Sequence, residues 1–242
     1  MRSLSIVIPA YNEEQRLPAT LDKVFAYLSA KPWNPVEVLV VDDGSRDQTA
    51  SVAERIAKQN PRLRLLRNPG NRGKGYSVRH GILEAKGDWV LFSDADLSAP
   101  IEELDKLLEA VDSKEAVVAI GSRALDRSLI GVHQSVFREY AGRFFNLLMR
   151  IITGLPFWDT QCGFKLFRAD AARTVFQRLQ LERFGFDVEA LFIARLHGFK
   201  TVEVPVRWNH AEGTKVSMIR DSVDMFVDLL RVRIHQLRGR YR

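Results

Sequence analysis

A single cysteine, Cys162, in 242 residues excludes an internal disulfide and any cluster of thiolate ligands, and it fits a reducing cytosol. The five histidines show no H-x-x-x-H spacing, so none is assigned to a metal. No apolar run reaches the roughly 18–20 residues that cross a bilayer. The longest candidate, Phe144 to Trp158, is broken by Asn146, Arg150, Gly154 and Pro156. The opening Met1 to Pro9 is a short strand and not a signal peptide. Repeats, low-complexity tracts and linkers are all missing, so one domain over residues 1–242 is expected.

What is present is ordinary for a globular protein: 46% hydrophobic and 27% charged residues, enough to bury a full core. The net charge of +6 favours an anionic partner, whether nucleic acid, membrane surface or phosphorylated substrate. The basic residues form no recognised nucleic-acid module, so no nucleic-acid partner is expected. Apolar runs at 4–8, 36–41, 62–66, 89–92 and 116–120 read as strands, and helical spacing fills the intervals after the first four. This alternation predicts an α/β fold: a Rossmann-like, mainly parallel sheet flanked by helices. Beyond residue 123 the alternation breaks. Helices are expected over 132–153 and 183–197 and strands near 164–167 and 202–208, with an amphipathic helix over 216–237.

Two strands run into paired acids. Trp89 to Phe92 leads to Asp94 and Asp96, which would face one spot if strand geometry continued. Hard carboxylate oxygens at a strand end suit Mg²⁺ or Mn²⁺ with substrate phosphates completing the shell. A turn capping the next helix is the plainer account of the same residues. Val38 to Val41 delivers Asp42 and Asp43 to the same edge, where capping by Asp43 or Ser45 explains one acid but hardly both. The loop Gly70-Asn-Arg-Gly73-Lys74-Gly75 is neither a dinucleotide fingerprint nor a Walker A loop. It reads as a tight turn opening a helix, from which Arg72 and Lys74 could approach a phosphate. Asp187 and Glu189 sit at a helix start, where capping explains one of them.

Four stretches in order, IVIPAYNEE, VVDDGSRDQT, NRGKGYSVRHG and FSDADL, resemble the nucleotide-sugar-binding half of family 2 glycosyltransferases. GSRA, DTQCGFKLF, RFGFDVEAL and VPVRWNHAEGTKV resemble its dolichyl-phosphate β-glucosyltransferase branch, and the likeness covers residues 4–220. The resemblance implies the GT-A type of fold, with residues 4–123 taking the nucleotide sugar, 124–215 the acceptor, and 216–242 forming a basic amphipathic helix. It implies a UDP-sugar donor, glucose before mannose or N-acetylglucosamine, and a polyprenyl phosphate acceptor. Pro9, Tyr11 and Glu13 would line the uracil and ribose pocket, with Asp42 contacting the base or ribose, while Asp43 and Lys74 would serve donor binding. Asp94 and Asp96 would hold Mg²⁺ or Mn²⁺ on the diphosphate, and Arg123 would sit near the phosphates. Asp159, Gln161 and Lys165 belong to the motif facing sugar and acceptor, and Lys215 would neutralise phosphate charge.

Two departures stand out. Eukaryotic members usually carry an N-terminal anchor, whereas this chain starts at its first strand, which points to a bacterial or archaeal relative using undecaprenyl or another polyprenyl phosphate. Thr214 stands before Lys215 where Ser is usual. A lipid acceptor also implies attachment to the cytoplasmic face of an anionic membrane, through the helix over 132–153 and the arginine-rich C-terminal one.

Overall fold

Alternate residues of each inner strand belong to opposite faces of one sheet. In β1 (Leu4–Ala10), Val7 packs on one side and Ile6 and Ile8 on the other. In β2 (Val36–Asp42) the same split separates Leu39 and Val41 from Val38 and Val40. Both faces are covered, so these strands read as continuous apolar runs. The computed structural model describes residues 2–132, 146–209 and 218–242. Its main sheet has seven strands in the order β3-β2-β1-β4-β7-β5-β8. The remaining members are β3 (Leu63–Arg67), β4 (Trp89–Ser93), β5 (Val118–Ser122), β7 (Phe164–Arg168) and β8 (Thr201–Pro205). Every pairing is parallel except those of β7, which runs antiparallel between β4 and β5. A separate pair joins β6 (Ile130–Val132) to β9 (Trp208–Asn209).

One face carries α1 (Leu17–Ser29), α2 (Thr49–Gln59) and α4 (Leu104–Ser113), whose buried positions include Leu21, Val24, Ala53 and Leu107. The other carries α3 (Lys74–Glu84), α6 (Ala169–Arg178) and α7 (Phe186–Leu196), along with Met149 of α5, a helix over 146–153. The last helix, α8 (Met218–Leu237), puts Leu229 and Val232 into this core.

The differences from the sequence reading have local causes. β1 continues through Pro9, since its pairing with β4 ends at Val7↔Phe92 and Pro9 lies beyond it, with β2 alone beside it. The helix of the first interval, α1, begins at Leu17, after a loop. α6 went unread because its apolar positions, Ala171, Ala172, Val175 and Phe176, are few and small. Of the helix expected over 132–153, residues 146–153 are helical; Val136, Arg138, Tyr140, Arg143 and Phe144 lie outside the described residues.

Neither acid of the first turn of α7 caps it. Instead the Asp228 carboxylate of α8 packs against Gly185 at the start of the helix, where a Cβ would meet it. Glu189 is fully buried and accepts from the N–H groups of Gln180 (2.9 Å) and Leu181 (2.8 Å) and from the Tyr241 hydroxyl (2.6 Å). Charge-assisted bonds of this kind contribute about 1.5–3 kcal/mol each, so Glu189 fastens the C-terminal tail to α7.

Candidate active site

The parallel strands all end on one edge, and β1 and β4 there feed connections that leave in opposite directions, to β2 on one side and, through α4, to β5 on the other. Such a switch point opens a crevice where ligands bind in α/β sheets. One wall is a laced pair of loops after β1 and β2. Asn12 adopts a left-handed φ of 53°, which asparagine tolerates well. Its side chain accepts from Arg46 N–H (2.8 Å), and its own N–H donates to Ser45 Oγ (2.9 Å). Glu13 N–H donates to Thr49 Oγ1 (2.7 Å), and the Glu13 carboxylate pairs with Arg16 (2.8 Å). Pro9 and Tyr11 are half-buried beside it.

The two acids after β2 have separate jobs. Asp42 accepts from Ser45 N–H at 3.3 Å. Asp43 takes Asn68 Nδ2 (2.7 Å) and the N–H groups of Arg72 (3.0 Å) and Gly73 (2.8 Å), so it builds the glycine loop. Gly73 has a φ of 107°, which a side chain would make costly. Arg72 turns outward to Glu182 (2.7 Å) and stacks on Tyr76, leaving Lys74 to point into the crevice.

Strand geometry does not continue through Asp94 and Asp96. β4 ends at Ser93 and the Asp-Ala-Asp segment turns, with Leu97 N–H donating to Asp94 O (3.2 Å) and Ser98 N–H to Asp96 Oδ1 (2.9 Å). The two carboxylates still lie near enough for Asp96 to act on Asp94. Lys74 Nζ lies 2.7 Å from Asp94 Oδ1. Burial, with Asp96 and Asp187, raises the Asp94 carboxyl above the ordinary aspartate value against the pull of Lys74. With an ammonium this near and 30% of its side chain open, the charged form is the one Asp94 presents. Burial opposes the Lys74 charge too, but Asp94, Asp187 and Asp96 outweigh it and hold its pKa above the ordinary lysine value. A Cβ at Gly163 would overlap the Asp94 carboxylate, so only glycine leaves this space.

Two hard carboxylates beside an open crevice fit Mg²⁺ or Mn²⁺ with diphosphate oxygens filling the shell. Among the described residues no group of three or more His, Cys, Asp or Glu could hold a metal, so any metal here would lean on its substrate.

The opposite wall holds Arg123 and Asp159 in a bidentate pair at 2.6 and 2.8 Å, with the Arg123 guanidinium 5.3 Å from the Trp208 ring. Burial would raise the Asp159 carboxyl, but Arg123 overrides it and brings its pKa down to about 2. Asp159 also accepts from the N–H groups of Arg123, Gln161 and Cys162. Glu203 of β8 takes those of Trp158 and Asp159. The Cys162 thiol is pushed up to about 12 by burial and by Asp159, which leaves it neutral and unreactive. Gln161 turns to Met225 Sδ of α8 (3.6 Å).

Lys165 does not face the crevice. It is 1% exposed and donates to Asp187 (2.5 Å) and Cys162 O (2.6 Å). The pattern Phe164-Lys165-Leu166-Phe167 held the clue, since a lysine inside an apolar strand requires a buried acceptor. Asp187 is that acceptor, although its place at a helix start read as a cap. Lys215 lies outside the described residues. The edge thus gathers Pro9, Tyr11, Glu13, Asp42, Asp43, Lys74, Asp94, Asp96, Arg123 and Asp159.

A sequence model of glycosyl transferase family 2 matches residues 5–176. The dolichyl-phosphate beta-glucosyltransferase of Homo sapiens is 36% identical over 253 residues, covering 100% of this chain and 78% of the relative. That of Drosophila melanogaster is 40% identical over 251 residues, covering 99% and 77%. Among solved structures, glucosyl-3-phosphoglycerate synthase from Mycobacterium tuberculosis, in complex with Mn²⁺, UDP-glucose and phosphoglyceric acid, superposes with a TM-score of 0.68. It is 18% identical, covering 96% of this chain and 79% of that one, a likeness of fold.

Proposed function

This chain belongs to glycosyl transferase family 2, and we propose that it moves glucose from UDP-glucose to a polyprenyl phosphate, giving a β-linked product. The observation that carries the reading is the pair Asp94 and Asp96 at the switch-point crevice, in a chain matched over its full length by dolichyl-phosphate beta-glucosyltransferases. The placement of β7, from the acceptor half, between β4 and β5 of the donor half supports treating the chain as one domain.

Pro9, Tyr11, Glu13 and Asp42 would receive uracil and ribose, and Asp43 would act through the glycine loop it holds. Asp94 and Asp96 would hold Mg²⁺ or Mn²⁺, which when bound supplies Lewis-acid stabilisation of the departing diphosphate. Lys74 offers an ammonium at the same place. Arg123, oriented by Asp159, presents a fixed cation on the acceptor side, and Lys215 is assigned to phosphate neutralisation on resemblance alone. A phosphate monoester's second pKa is about 6, so the acceptor oxygen needs no strong general base. Its attack on C1 in one step inverts an α-linked donor to a β-linked product.

The test is a panel of UDP- and GDP-sugars with one short polyprenyl phosphate, scored by product extracted into organic solvent. UDP-glucose should lead. Preference for another donor would overturn the glucose assignment, and no transfer from any donor would overturn the reading itself.

No described helix is long and apolar enough to cross a membrane. We place the protein on the cytoplasmic surface through α8. At roughly 100° per residue, Phe226, Leu230, Ile234 and Leu237 form a stripe on a different face from the buried Leu229 and Val232, and all four are exposed. Arg231 and Arg238 lie along one side of the stripe. Leu147 and Ile151 on α5 and Trp158 just beyond it are likewise exposed. Each basic residue near an anionic leaflet adds about 1 kcal/mol of attraction. The full chain should float with vesicles containing anionic lipid at low salt, and a Leu230→Gln/Ile234→Gln variant should float several-fold less. Equal flotation of the two would remove α8 from the contact. Removing the tail is the poorer experiment, because it takes away buried Tyr241.

A further inference from the structure

The glycine loop is fully built without the Lys74 side chain. On its N-terminal side Asp43 accepts from Arg72 and Gly73 N–H, and just beyond it Glu182 O accepts from Tyr76 N–H at 3.0 Å. The ammonium is therefore surplus to the loop's construction. It lies 2.7 Å from Asp94 Oδ1, and Asp96 and Asp187 are near enough to act on it. Asp94 is closed in by Gly163, whose backbone carbonyl also accepts the Asp94 N–H at 3.0 Å. Among the described residues three carboxylates thus face two ammonium groups. One of these, Lys165, is committed to Asp187 and Cys162 O with its side chain only 2% exposed. Lys74 is the one with room to move, at 24% exposure on a four-carbon stem.

From this geometry we propose that Lys74 is a cationic placeholder, a positioning residue that holds Asp94 until a metal-bearing donor arrives. The inference rests on the metal reading of Asp94 and Asp96. A dication arriving alone meets an ammonium already seated on its carboxylate and gains nothing that moves it. A dication arriving with a diphosphate brings a second anion, and the ammonium transfers from Asp94 to a diphosphate oxygen. Like charges then separate and each finds an opposite partner. Metal and nucleotide therefore bind as a unit, and by linkage each strengthens the other by the same factor.

The test uses the full chain with Mn²⁺ and UDP as probes, free Mn²⁺ being read by its paramagnetic resonance signal, with no turnover involved. Wild type should bind Mn²⁺ weakly alone and about 100-fold more tightly with saturating UDP, near the upper range of such couplings. Lys74→Met should bind Mn²⁺ alone about tenfold more tightly than wild type and lose most of the coupling to UDP. Lys74→Arg, which keeps the charge, should behave like wild type. UDP-coupled Mn²⁺ binding unchanged in Lys74→Met would overturn the placeholder and leave the metal reading standing. Failure of wild type to bind Mn²⁺ with or without UDP would remove the metal reading and the placeholder with it. Loss of helical circular dichroism in both Lys74→Met and Lys74→Gln would also overturn it, by showing that the ion pair is needed for the fold.

Discussion

An Asp96→Asn variant is expected to lose turnover by a factor on the order of 10³, with its fold intact. Among the described residues the Asp96 side chain accepts one hydrogen bond, from Ser98 N–H, and the amide oxygen of asparagine can accept it as well. What the variant lacks is the charge, and a hard dication beside a diphosphate depends on that charge. Turnover of UDP-glucose with saturating Mn²⁺ and a thermal melt together separate the two effects. Normal turnover in the variant, or full wild-type activity in EDTA, would remove Asp96 from the chemistry.

Asp159→Ala is expected to cost about 3–5 kcal/mol of stability, because it strands the Arg123 guanidinium in a largely enclosed site. Three backbone N–H groups lose an acceptor at the same time. The milder Asp159→Asn exposes the electrostatic part through pH. The folded carboxyl has its pKa brought down to about 2, whereas an unfolded aspartate titrates near 3.9. Its contribution is therefore complete above about pH 4 and is lost as pH falls through about 2, with a size of roughly 2–3 kcal/mol. Urea midpoints at pH 7 and pH 2.5 should show the gap between wild type and Asp159→Asn narrowing in acid. A gap that does not change with pH would mean that shape, and not charge, is what Asp159 contributes.

The parallel half was legible because β1 to β5 are apolar runs bounded by polar loops, and the acids sit where such strands end. The resemblance named Asp94, Asp96, Arg123 and Asp159 as site residues, and the fold gathers all four at one edge. Local pattern could not show which partner each would choose. Asp43 looks like a ligand contact, yet its acceptors are filled by Asn68, Arg72 and Gly73. Asp187 looks like a cap, yet it neutralises a lysine 22 residues away in sequence. Glu189 fits a helix start equally well, but it serves Tyr241 at the other end of the chain's second half. These pairings are set by packing between elements distant in sequence, which periodicity does not record. Gly163 carries the same lesson, since its neighbour Asp94 lies across a strand pairing.

The antiparallel insertion of β7 has a consequence for how the chain is made. During synthesis β4 and β5 emerge together, with only residues 94–117 between them, yet they are not neighbours in the finished sheet. Each keeps an unsatisfied row of N–H and C=O groups until residues 164–168 arrive to pair with both. Exposed strand edges recruit other strands, and long-range pairing is slow. Direct β4–β5 pairing would be parallel and would leave β7 without its two partners. The nascent chain must therefore hold that slot open for some forty residues of further elongation, or take a trap from which it has to back out.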